Sequence, residues 1–310
     1  MADIVISEFM DAAAVERLKQ SYAVSYDPGL VDRPEELGAL LADARVLIVR
    51  NRTQVRPALL EKAAKLTCVG RLGVGLDNID VEACKARGIA VYPANGANDL
   101  SVAEYVITAA LVLLRQAWLS TADMIAGAWP RQKLMGAELA GKTLGLVGYG
   151  AIAREVARRA AALGVACVGH DPFLPSDSPA WGDTQPLALD DLLARADIVS
   201  LHVPLTPATQ HLIDARAMAR MKKGSLLINA ARGGVVDEAA LVEALRSGHL
   251  AGAALDVFEH EPLTADAGRL FAGLGNLILT PHIAGVTLES NVRVSNLIAD
   301  KVAAHLEGAE

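Results

Sequence analysis

Three residues near the end of the chain have the types that carboxylate binding and proton transfer require. Arg232 stands in the segment Asn-Ala-Ala-Arg-Gly-Gly, Glu261 directly precedes a proline, and His282 directly follows one. A guanidinium can hold the carboxylate and carbonyl oxygens of a 2-keto acid in one plane. A histidine can transfer the alcohol proton, and a carboxylate bonded to it fixes its tautomer and favours the charged ring. The set predicts a catalytic trio for reversible hydride transfer between a nicotinamide and a 2-hydroxy acid.

A glycine-rich turn lies upstream of this trio. It reads G-x-G-x-x-A at Gly148, Gly150 and Ala153, after a strand-like run and at the start of a helical pattern. Gly148 permits a tight turn, and Gly150 lets backbone amides approach a pyrophosphate at the helix N-terminus. Asp171 ends the next strand-like run about 20 residues later, where a carboxylate binds the ribose hydroxyls of NAD and repels the 2′-phosphate of NADP. We expect NAD, although Asp171 could instead be a turn residue before Pro172.

The second half of the chain alternates strand-like and helical patterns, which is typical of a doubly wound Rossmann domain. In such folds ligands bind at the carboxyl ends of the strands, and both Arg232 and His282 follow a strand-like run. Six strands are predicted, at Thr143–Val147, Ala166–Val168, Ile198–His202, Ser225–Asn229, Ala253–Leu255 and Leu277–Leu279.

The first hundred residues alternate in the same way and predict a smaller, flavodoxin-like parallel α/β domain. A nearly all-apolar helix then runs to about Gln116, with Ser101 as its N-cap and Glu104 completing a capping box. We hypothesise that a last helix, roughly Thr287–Leu306, packs on the first domain. The expected division is a substrate domain of residues 1–98 plus 287–310 and an NAD-binding domain of residues 99–286. Strands of the first domain are predicted at Asp3–Ser7, Ala44–Val49, Leu66–Val69 and Ile89–Tyr92.

Composition restricts the class of protein. The chain has 310 residues, is 52% hydrophobic and 4% aromatic, and carries a formal net charge of -7, which argues against a nucleic-acid surface. Cys68, Cys84 and Cys167 show no metal-binding or redox spacing, so free thiols in a reducing compartment are expected, with no metal. The N-terminus reads as a first strand instead of a signal peptide, and the apolar run Val102–Leu114 is too short to span a bilayer. We expect a cytoplasmic protein that binds neither membranes nor nucleic acids.

Several segments together resemble the D-isomer-specific 2-hydroxyacid dehydrogenase family. They are Gly73–Asn78, Leu201–Thr206, Asn229–Glu238, Ala253–Pro262 and Pro281–Gly285, and the resemblance covers essentially the whole chain. It implies that Glu261, the glutamate directly before the proline, is the carboxylate that pairs with His282 and that Glu259 has no catalytic role. It also implies that Asp256 bonds the nicotinamide carboxamide and that Pro204 lines the adenine side. The formate dehydrogenase branch carries glutamine where this chain has Glu261. Cofactor contacts are expected from Gly148, Tyr149, Gly150, Ala151, Ile152, Asp171, His202, Val203, Pro204, Thr209, Ala230, Ala231, Asp256, His282 and Ala284.

Two loops of the first domain are expected to select the substrate. Arg50, Asn51 and Arg52 follow one strand, and Arg71 with Gly73, Val74 and Gly75 follows another, so that amides are offered to the substrate carboxylate. Arg50 and Arg71 resemble the arginines that 3-phosphoglycerate dehydrogenases use for phosphate, and three arginines suggest a second anionic group on the substrate. Alternatively, these arginines pair with local acids.

The favoured substrate is therefore a three-carbon acid with an anionic tail, 3-sulfolactate or 3-phosphoglycerate. The chain ends at Glu310 without the regulatory extension of many phosphoglycerate dehydrogenases. This difference slightly favours 3-sulfolactate as the expected substrate. A glyoxylate or hydroxypyruvate reductase is the next alternative. An NAD(H)-sensing, corepressor-like binding protein is the alternative of another class. A homodimer contact is expected at the helix Ser101–Gln116 and the stretch Trp118–Trp129.

Overall fold

The computed structural model describes residues 2–116 and 120–308. The chain divides into two compact units, the first made of Met1–Asn98 with Val286–Glu310 and the second of Asp99–Gly285. Each unit contains one parallel sheet flanked by helices. The two parallel α/β units that the sequence predicts are therefore present.

The strands of the two sheets are short. They are β1 Ile4–Ile6, β2 Val24–Tyr26, β3 Val46–Val49, β4 Cys68–Arg71, β5 Ala90–Pro93, β6 Thr143–Val147, β7 Ala166–His170, β8 Gln185–Pro186, β9 Ile198–Leu201, β10 Ser225–Asn229, β11 Leu250–Leu255 and β12 Leu277–Leu279. The helices are α1 Ala12–Lys19, α2 Pro34–Leu41, α3 Pro57–Glu61, α4 Val81–Ala86, α5 Asp99–Arg115, α6 Ser120–Ile125, α7 Ala151–Ala162, α8 Leu189–Arg195, α9 Ala215–Arg220, α10 Glu238–Arg246, α11 Ala265–Gly268 and α12 Leu288–Glu307.

The sheet of the first unit has the order β2-β1-β3-β4-β5, which is the flavodoxin-like order. Its central strands β1 and β3 consist of Ile, Val and Leu and are buried along their whole length. The sequence prediction of four strands is wrong by one, because β2 was missed. Its three residues, Val-Ser-Tyr, are only half-buried at the sheet edge and show no run of apolar residues.

Helix α12 completes the core of the first unit. The Thr287 hydroxyl accepts a hydrogen bond from the Ser290 amide, and the Ser290 side chain accepts one from the Thr287 amide, which closes a capping box. Further along the helix, Ile298 and Val302 are fully buried in the cluster that also contains residues of β1 and β3. Gly70 on β4 leaves the space for this packing, since a Cβ there would lie 2.7 Å from the Ile298 side chain.

The sheet of the second unit has the order β12-β11-β10-β9-β6-β7-β8. This is the Rossmann order with one further strand beyond β11, and the strand order reverses between β6 and β9. The prediction of six strands is wrong, since the sheet has seven. The missed strand, β8, is a two-residue edge strand containing Pro186, and neither alternation nor an apolar run marks it in the sequence.

Helix α5 begins two residues earlier than expected. The prediction that Ser101 is its N-cap is wrong, because the helix starts at Asp99 and Ser101 is buried within its first turn. A carboxylate in the first turn suits the positive end of the helix dipole, so Asp99 fits this start. One stripe of α5, containing Glu104 and Leu111, is exposed, and the other faces pack against α7, β10 and β11. Among the helices described, none has the length and apolar character that crossing a membrane requires.

Candidate active site

The turn between β6 and α7 has the shape that a pyrophosphate needs. Gly148 adopts a φ of 84°, and a Cβ there would lie 2.7 Å from the carbonyl oxygen of His202, so only glycine fits. Gly150 is the N-cap of α7, where no side chain caps the helix and a Cβ would meet only open space. The first-turn amides of α7 are therefore available to an anion, which is the fit expected for a dinucleotide.

Asp171 lies at the end of β7, beside this turn. Its Oδ2 accepts a hydrogen bond from the Tyr149 amide at 2.9 Å, and its Oδ1 accepts one from the Phe173 amide at 2.9 Å. A carboxylate has about four acceptor sites, so two remain for ribose hydroxyls. The Tyr149 side chain points elsewhere: its hydroxyl donates to Thr184 at 2.7 Å, and its ring stacks on Trp181. Only the backbone of Tyr149 is therefore at the nucleotide turn.

In the segment after β9, the polar side chains of His202 and Thr209 are bonded to residues close by in the chain. His202 lies 3.0 Å from the Ser200 hydroxyl through Nε2, and burial lowers the pKa of its imidazole to about 4, so that the ring is neutral near pH 7. Thr209 donates its hydroxyl hydrogen to the Pro204 carbonyl at 2.6 Å and so closes the loop internally. Five further residues expected at the cofactor lie at the start of α7, after β9 and after β10, and they range from exposed to half-buried; they are Ala151, Ile152, Val203, Ala230 and Ala231.

Arg232 follows β10 in a loop that two contacts define. Asn229 donates from its side-chain amide to the Arg232 carbonyl at 2.9 Å and accepts from the Ala231 amide at 3.1 Å. A Cβ on Gly233 would overlap the carbonyl oxygen of Phe258, so a glycine is required for the close approach of this loop to the segment after β11. This approach brings the Arg232 charge near Glu261, on whose pKa it acts.

His282 and Glu261 form a hydrogen-bonded pair. The distance from His282 Nδ1 to Glu261 Oε2 is 2.7 Å, and Glu261 Oε1 accepts from the Phe258 amide at 3.0 Å. Burial by itself would raise the pKa of the Glu261 carboxyl, but the hydrogen bond and charge of His282, the Phe258 amide and the Arg232 charge bring that pKa below its ordinary value of 4.5. An ionised carboxylate only accepts hydrogen bonds, so Nδ1 carries a hydrogen and Nε2 is left to exchange a proton with a ligand.

Asp256 holds the backbone on which His282 stands. Its carboxylate accepts from the amides of Ile283 and Ala284 at 2.8 and 2.7 Å, and its carbonyl accepts from the His282 amide at 2.8 Å. His282 adopts a left-handed φ of 56°, which is uncommon for a residue with a Cβ, and these bonds support it. Both oxygens of Asp256 are thus engaged by the His282 segment, and its contact with the nicotinamide stays a prediction.

Two residues of this arrangement were missed by the sequence interpretation. Thr280 donates its hydroxyl hydrogen to Asp256 at 2.6 Å, so the Tyr105 hydroxyl, 2.6 Å from the Thr280 oxygen, must be the donor in that contact. The position of Thr280, two residues before His282, is a signal that could have found it. Tyr105 lies far away in the sequence on α5, and nothing local indicates its partner.

The rival carboxylate, Glu259, has different partners. It exchanges hydrogen bonds with Glu238, each side chain accepting from the amide of the other residue, and its Oε1 lies 3.2 Å from His211 Nε2. Glu259 therefore connects the segment after β11 to Glu238 and His211, whereas Glu261 is the carboxylate that contacts His282. Among the described residues, no group of three or more His, Cys, Asp or Glu side chains could hold a metal ion.

Comparison with known proteins assigns the chain to a family. Residues 107–284 match the D-isomer specific 2-hydroxyacid dehydrogenase, NAD binding domain. The chain belongs to the D-isomer specific 2-hydroxyacid dehydrogenase family. It is an NAD-dependent 2-hydroxyacid dehydrogenase, as the trio and the glycine turn predict.

Two relatives and one solved structure illustrate the similarity. The chain is 57% identical over 303 residues to an (S)-sulfolactate dehydrogenase of Chromohalobacter salexigens, covering 97% of each protein. It is 40% identical over 309 residues to a D-3-phosphoglycerate dehydrogenase of Methanocaldococcus jannaschii, covering 99% of this chain but 58% of that protein. The crystal structure of the TT0316 protein from Thermus thermophilus matches with a TM-score of 0.90 and 35% identity, covering 99% of this chain and 97% of that one.

In the first unit of this dehydrogenase, the loop after β3 carries two arginines with different partners. Arg50 donates to the Asn291 side chain at 2.9 Å, and its guanidinium lies 5.8 Å from the centre of the Phe9 ring. Arg52 forms an exposed ion pair with Asp32. Burial lowers the pKa of Arg50, and the negative charge of Glu8 acts in the opposite direction. The alternative that these arginines pair with local acids therefore holds for Arg52.

The loop after β4 of the dehydrogenase is built around Gly73. Arg71 donates to the Leu72 carbonyl at 2.9 Å, and a Cβ on Gly73 would overlap its guanidinium. The Gly73 amide already donates to the Arg71 carbonyl. In the part of the chain that the structure describes, the amides of Val74 and Gly75 have no acceptor, so these two can bind an anion.

Proposed function

We propose that this dehydrogenase interconverts 3-sulfolactate and 3-sulfopyruvate with NAD(H). The observation that carries the proposal is the loop of residues 50–53, in which two guanidinium groups are held in place and are balanced by two carboxylates. The name of the relative that is 57% identical, an (S)-sulfolactate dehydrogenase, supports the same substrate.

The charge of this loop distinguishes a sulfonate from a phosphate. Arg50 and Arg52 are opposed by Glu8 and Asp32, so the loop itself has no net excess of positive charge. Arg71, which pairs with Val49 on the neighbouring strand, adds one guanidinium. A phosphate monoester carries a charge of about −1.5 to −2 at pH 7, whereas a sulfonate carries a single negative charge. A weakly positive site suits the monoanion.

We propose the following roles in the reaction. Arg232 holds the carboxylate and carbonyl oxygens of the keto acid in one plane. His282 Nε2 delivers a proton to the carbonyl oxygen in reduction and takes the alcohol proton in oxidation. Glu261 orients His282 through the hydrogen bond to Nδ1. NADH, when bound, supplies the hydride.

The test compares kcat/KM for NADH oxidation with 3-sulfopyruvate, 3-phosphohydroxypyruvate and hydroxypyruvate. We expect 3-sulfopyruvate to be the best substrate, and Arg50→Gln to reduce its kcat/KM about 10- to 100-fold, as expected for loss of one charge-assisted hydrogen bond. Wild type and Arg50→Gln should turn over hydroxypyruvate equally. Arg33→Gln, which removes an exposed ion pair elsewhere in the same unit, is the control and should leave all three substrates unaffected.

The other outcomes identify the alternatives. Faster turnover of 3-phosphohydroxypyruvate would make the protein a phosphoglycerate dehydrogenase. Equal or faster turnover of hydroxypyruvate would make it a general reductase of short keto acids, with arginines that serve structure. Absence of turnover with any 2-keto acid would favour the NAD(H)-sensing alternative.

We further propose that the dehydrogenase is a homodimer. Large apolar side chains are exposed in and after α6, with Ile125 84%, Trp129 73% and Met135 77% exposed, which marks an interaction surface. Trp118, which the sequence also assigns to this contact, lies outside the described residues. The mass in solution tests the proposal: the wild type should be a dimer, and Ile125→Asp with Met135→Asp should shift it toward the monomer.

A cytoplasmic location is also proposed. Its support is the three free cysteines, of which Cys68 and Cys84 are buried in the first unit. Fractionation of cells that express the protein, with soluble marker enzymes as standards, tests this location.

A further inference from the structure

One buried carboxylate binds the four backbone amides of residues 50–53, the arginine loop. Glu8, which is 5% exposed, follows β1. Its Oε1 accepts from the amides of Arg50 and Thr53, both at 2.9 Å. Its Oε2 accepts from the amides of Asn51 and Arg52 at 3.3 and 3.0 Å. Four consecutive amides of the loop therefore converge on a single side chain.

This arrangement requires a carboxylate. An ionised carboxylate accepts hydrogen bonds at about four sites and donates none, and here four amides fill those sites. A glutamine at position 8 would turn an NH₂ group toward two of the donors and leave them unsatisfied in a buried place. An aspartate would keep the charge but is one methylene shorter, so it could not reach all four amides.

The neighbours of Glu8 hold the same loop. The Ser7 hydroxyl lies 2.9 Å from the Thr53 hydroxyl, and the Phe9 ring lies under the Arg50 guanidinium. Asn78 donates to the carbonyls of Arg50 and Thr53 at 3.3 and 2.8 Å. Glu8 thus binds the amides of the loop, and Asn78 binds two of its carbonyls. Because both kinds of backbone group are held, the direction in which the side chains leave the backbone is fixed.

The charge of Glu8 also acts on the arginines that the loop carries. It affects the guanidinium groups of both Arg50 and Arg52, whereas Asp32 opposes Arg52 alone. Unlike Asp32, which is exposed, Glu8 is shielded from solvent, so its charge is less screened. The same side chain therefore sets both the geometry and the net charge of the loop.

We propose that Glu8 is a positioning residue that determines specificity, aligning Arg50 and Arg52 and limiting the positive charge of their loop so that a substrate with a singly charged tail is preferred to one with a doubly charged tail. The inference rests on the proposed function, in which this loop binds the anionic tail of the substrate.

The experiment measures kcat and KM of the purified enzyme for 3-sulfopyruvate, 3-phosphohydroxypyruvate and hydroxypyruvate in wild type, Glu8→Gln and Glu8→Asp. In Glu8→Gln we expect KM for both anionic substrates to rise and the phosphate-to-sulfonate ratio of kcat/KM to increase about 10-fold, because a negative charge has been removed. In Glu8→Asp we expect higher KM values with the wild-type ratio. The kcat for hydroxypyruvate should be unchanged in both variants.

Asp80→Ala is the matched control. Asp80 is also a carboxylate of the first unit, but it caps α4, accepting from the Ala83 amide at 2.9 Å, and does not contact the arginine loop. Asp80→Ala should lower the Tm and leave the KM values and the ratio at the wild-type level. Thermal stability is measured for every variant, so that loss of folded protein is separated from loss of specificity.

The outcomes separate this inference from the one on which it rests. If Arg50→Gln lowers the preference for 3-sulfopyruvate but Glu8→Gln leaves the ratio unchanged, Glu8 has only a structural role and the inference is wrong. If Arg50→Gln has no effect on either anionic substrate, the loop does not bind the anionic tail, and that part of the proposed function is wrong. Should Glu8→Gln not fold, Glu8→Asp decides, since wild-type KM values in that variant would overturn the positioning role.

Discussion

His282 Nδ1 and Glu261 Oε2 lie 2.7 Å apart, and the carboxylate of Glu261 is itself oriented by the amide of Phe258. The pair joins segments that follow two different strands, β11 and β12, which are neighbours in the sheet. Because the carboxylate can only accept from Nδ1, the opposite ring nitrogen is the one that can exchange a proton. The arrangement thus specifies one tautomer and one ring nitrogen for proton transfer.

Replacing His282 should separate chemistry from cofactor binding. His282→Ala removes the group that exchanges the proton, so we expect kcat to fall by about 10²- to 10⁴-fold. The nucleotide turn at Gly148 and Gly150 is untouched, and the Kd for NADH, measured by fluorescence titration, should stay within about twofold. Loss of NADH binding in this variant would mean that the catalytic site has been assigned to the wrong residues.

Replacing Glu261 should slow proton transfer. Glu261→Gln puts an amide in place of the carboxylate that accepts from His282 Nδ1, so the ring is no longer held with its hydrogen on that nitrogen and kcat/KM for keto-acid reduction should fall. The rate at the optimum should fall about 10²-fold or more. Glu259→Gln is the control, because Glu259 contacts His211 and Glu238 instead. Wild-type kcat/KM in Glu261→Gln would contradict the pairing.

The same carboxylate should contribute to stability in a defined pH range. The pKa of Glu261 is below its ordinary value of 4.5 in the folded protein, so its ionised form stabilises the fold above that pH. This contribution is lost as the pH falls through the lowered pKa. The difference in free energy of unfolding between wild type and Glu261→Gln should be constant above about pH 6 and shrink below pH 4.5. Urea denaturation at several pH values measures it, and a difference that grows in acid would refute the assignment.

Replacing Asp171 should alter the choice of cofactor. Asp171→Ala removes the acceptor for the ribose hydroxyls and the charge that repels a 2′-phosphate. We expect the preference for NAD over NADP, as a ratio of kcat/KM, to drop at least about 10-fold. Asp177→Ala, an exposed acid a few residues later, should keep the wild-type ratio. An unaltered ratio in Asp171→Ala would show that another residue selects the cofactor.

Adding a methyl group to Gly233 should displace the Arg232 loop. The new Cβ would overlap the Phe258 carbonyl oxygen, which is backbone and cannot move aside alone. We expect Gly233→Ala to lower kcat/KM at least about 10-fold and to reduce the Tm. Gly268→Ala, where the Cβ would meet only open space in a helix, should retain activity and Tm. Wild-type activity in Gly233→Ala would mean that the close approach of the two segments is not required.

Local patterns in the sequence were sufficient for the features that depend on neighbouring residues. Buried parallel strands such as β3, Val-Leu-Ile-Val, are continuous apolar runs, and the turn at Gly148 requires a glycine because its φ is 84°. The order of the segments with Arg232, Glu261 and His282 was enough to predict the class of reaction. Edge strands such as β8 were not found, because two half-exposed residues form no pattern.

Only the tertiary structure decided the contacts between residues that are distant in the sequence. Glu8 meets the amides of residues 50–53 because parallel strands bring their carboxyl ends to one edge of a sheet whatever their separation along the chain. Tyr105 meets Thr280 because helix α5 packs on the sheet of the second unit. Nothing near Glu8 in the sequence distinguishes it from a surface glutamate. Its role follows from burial beside four amides, and burial is a property of the folded chain.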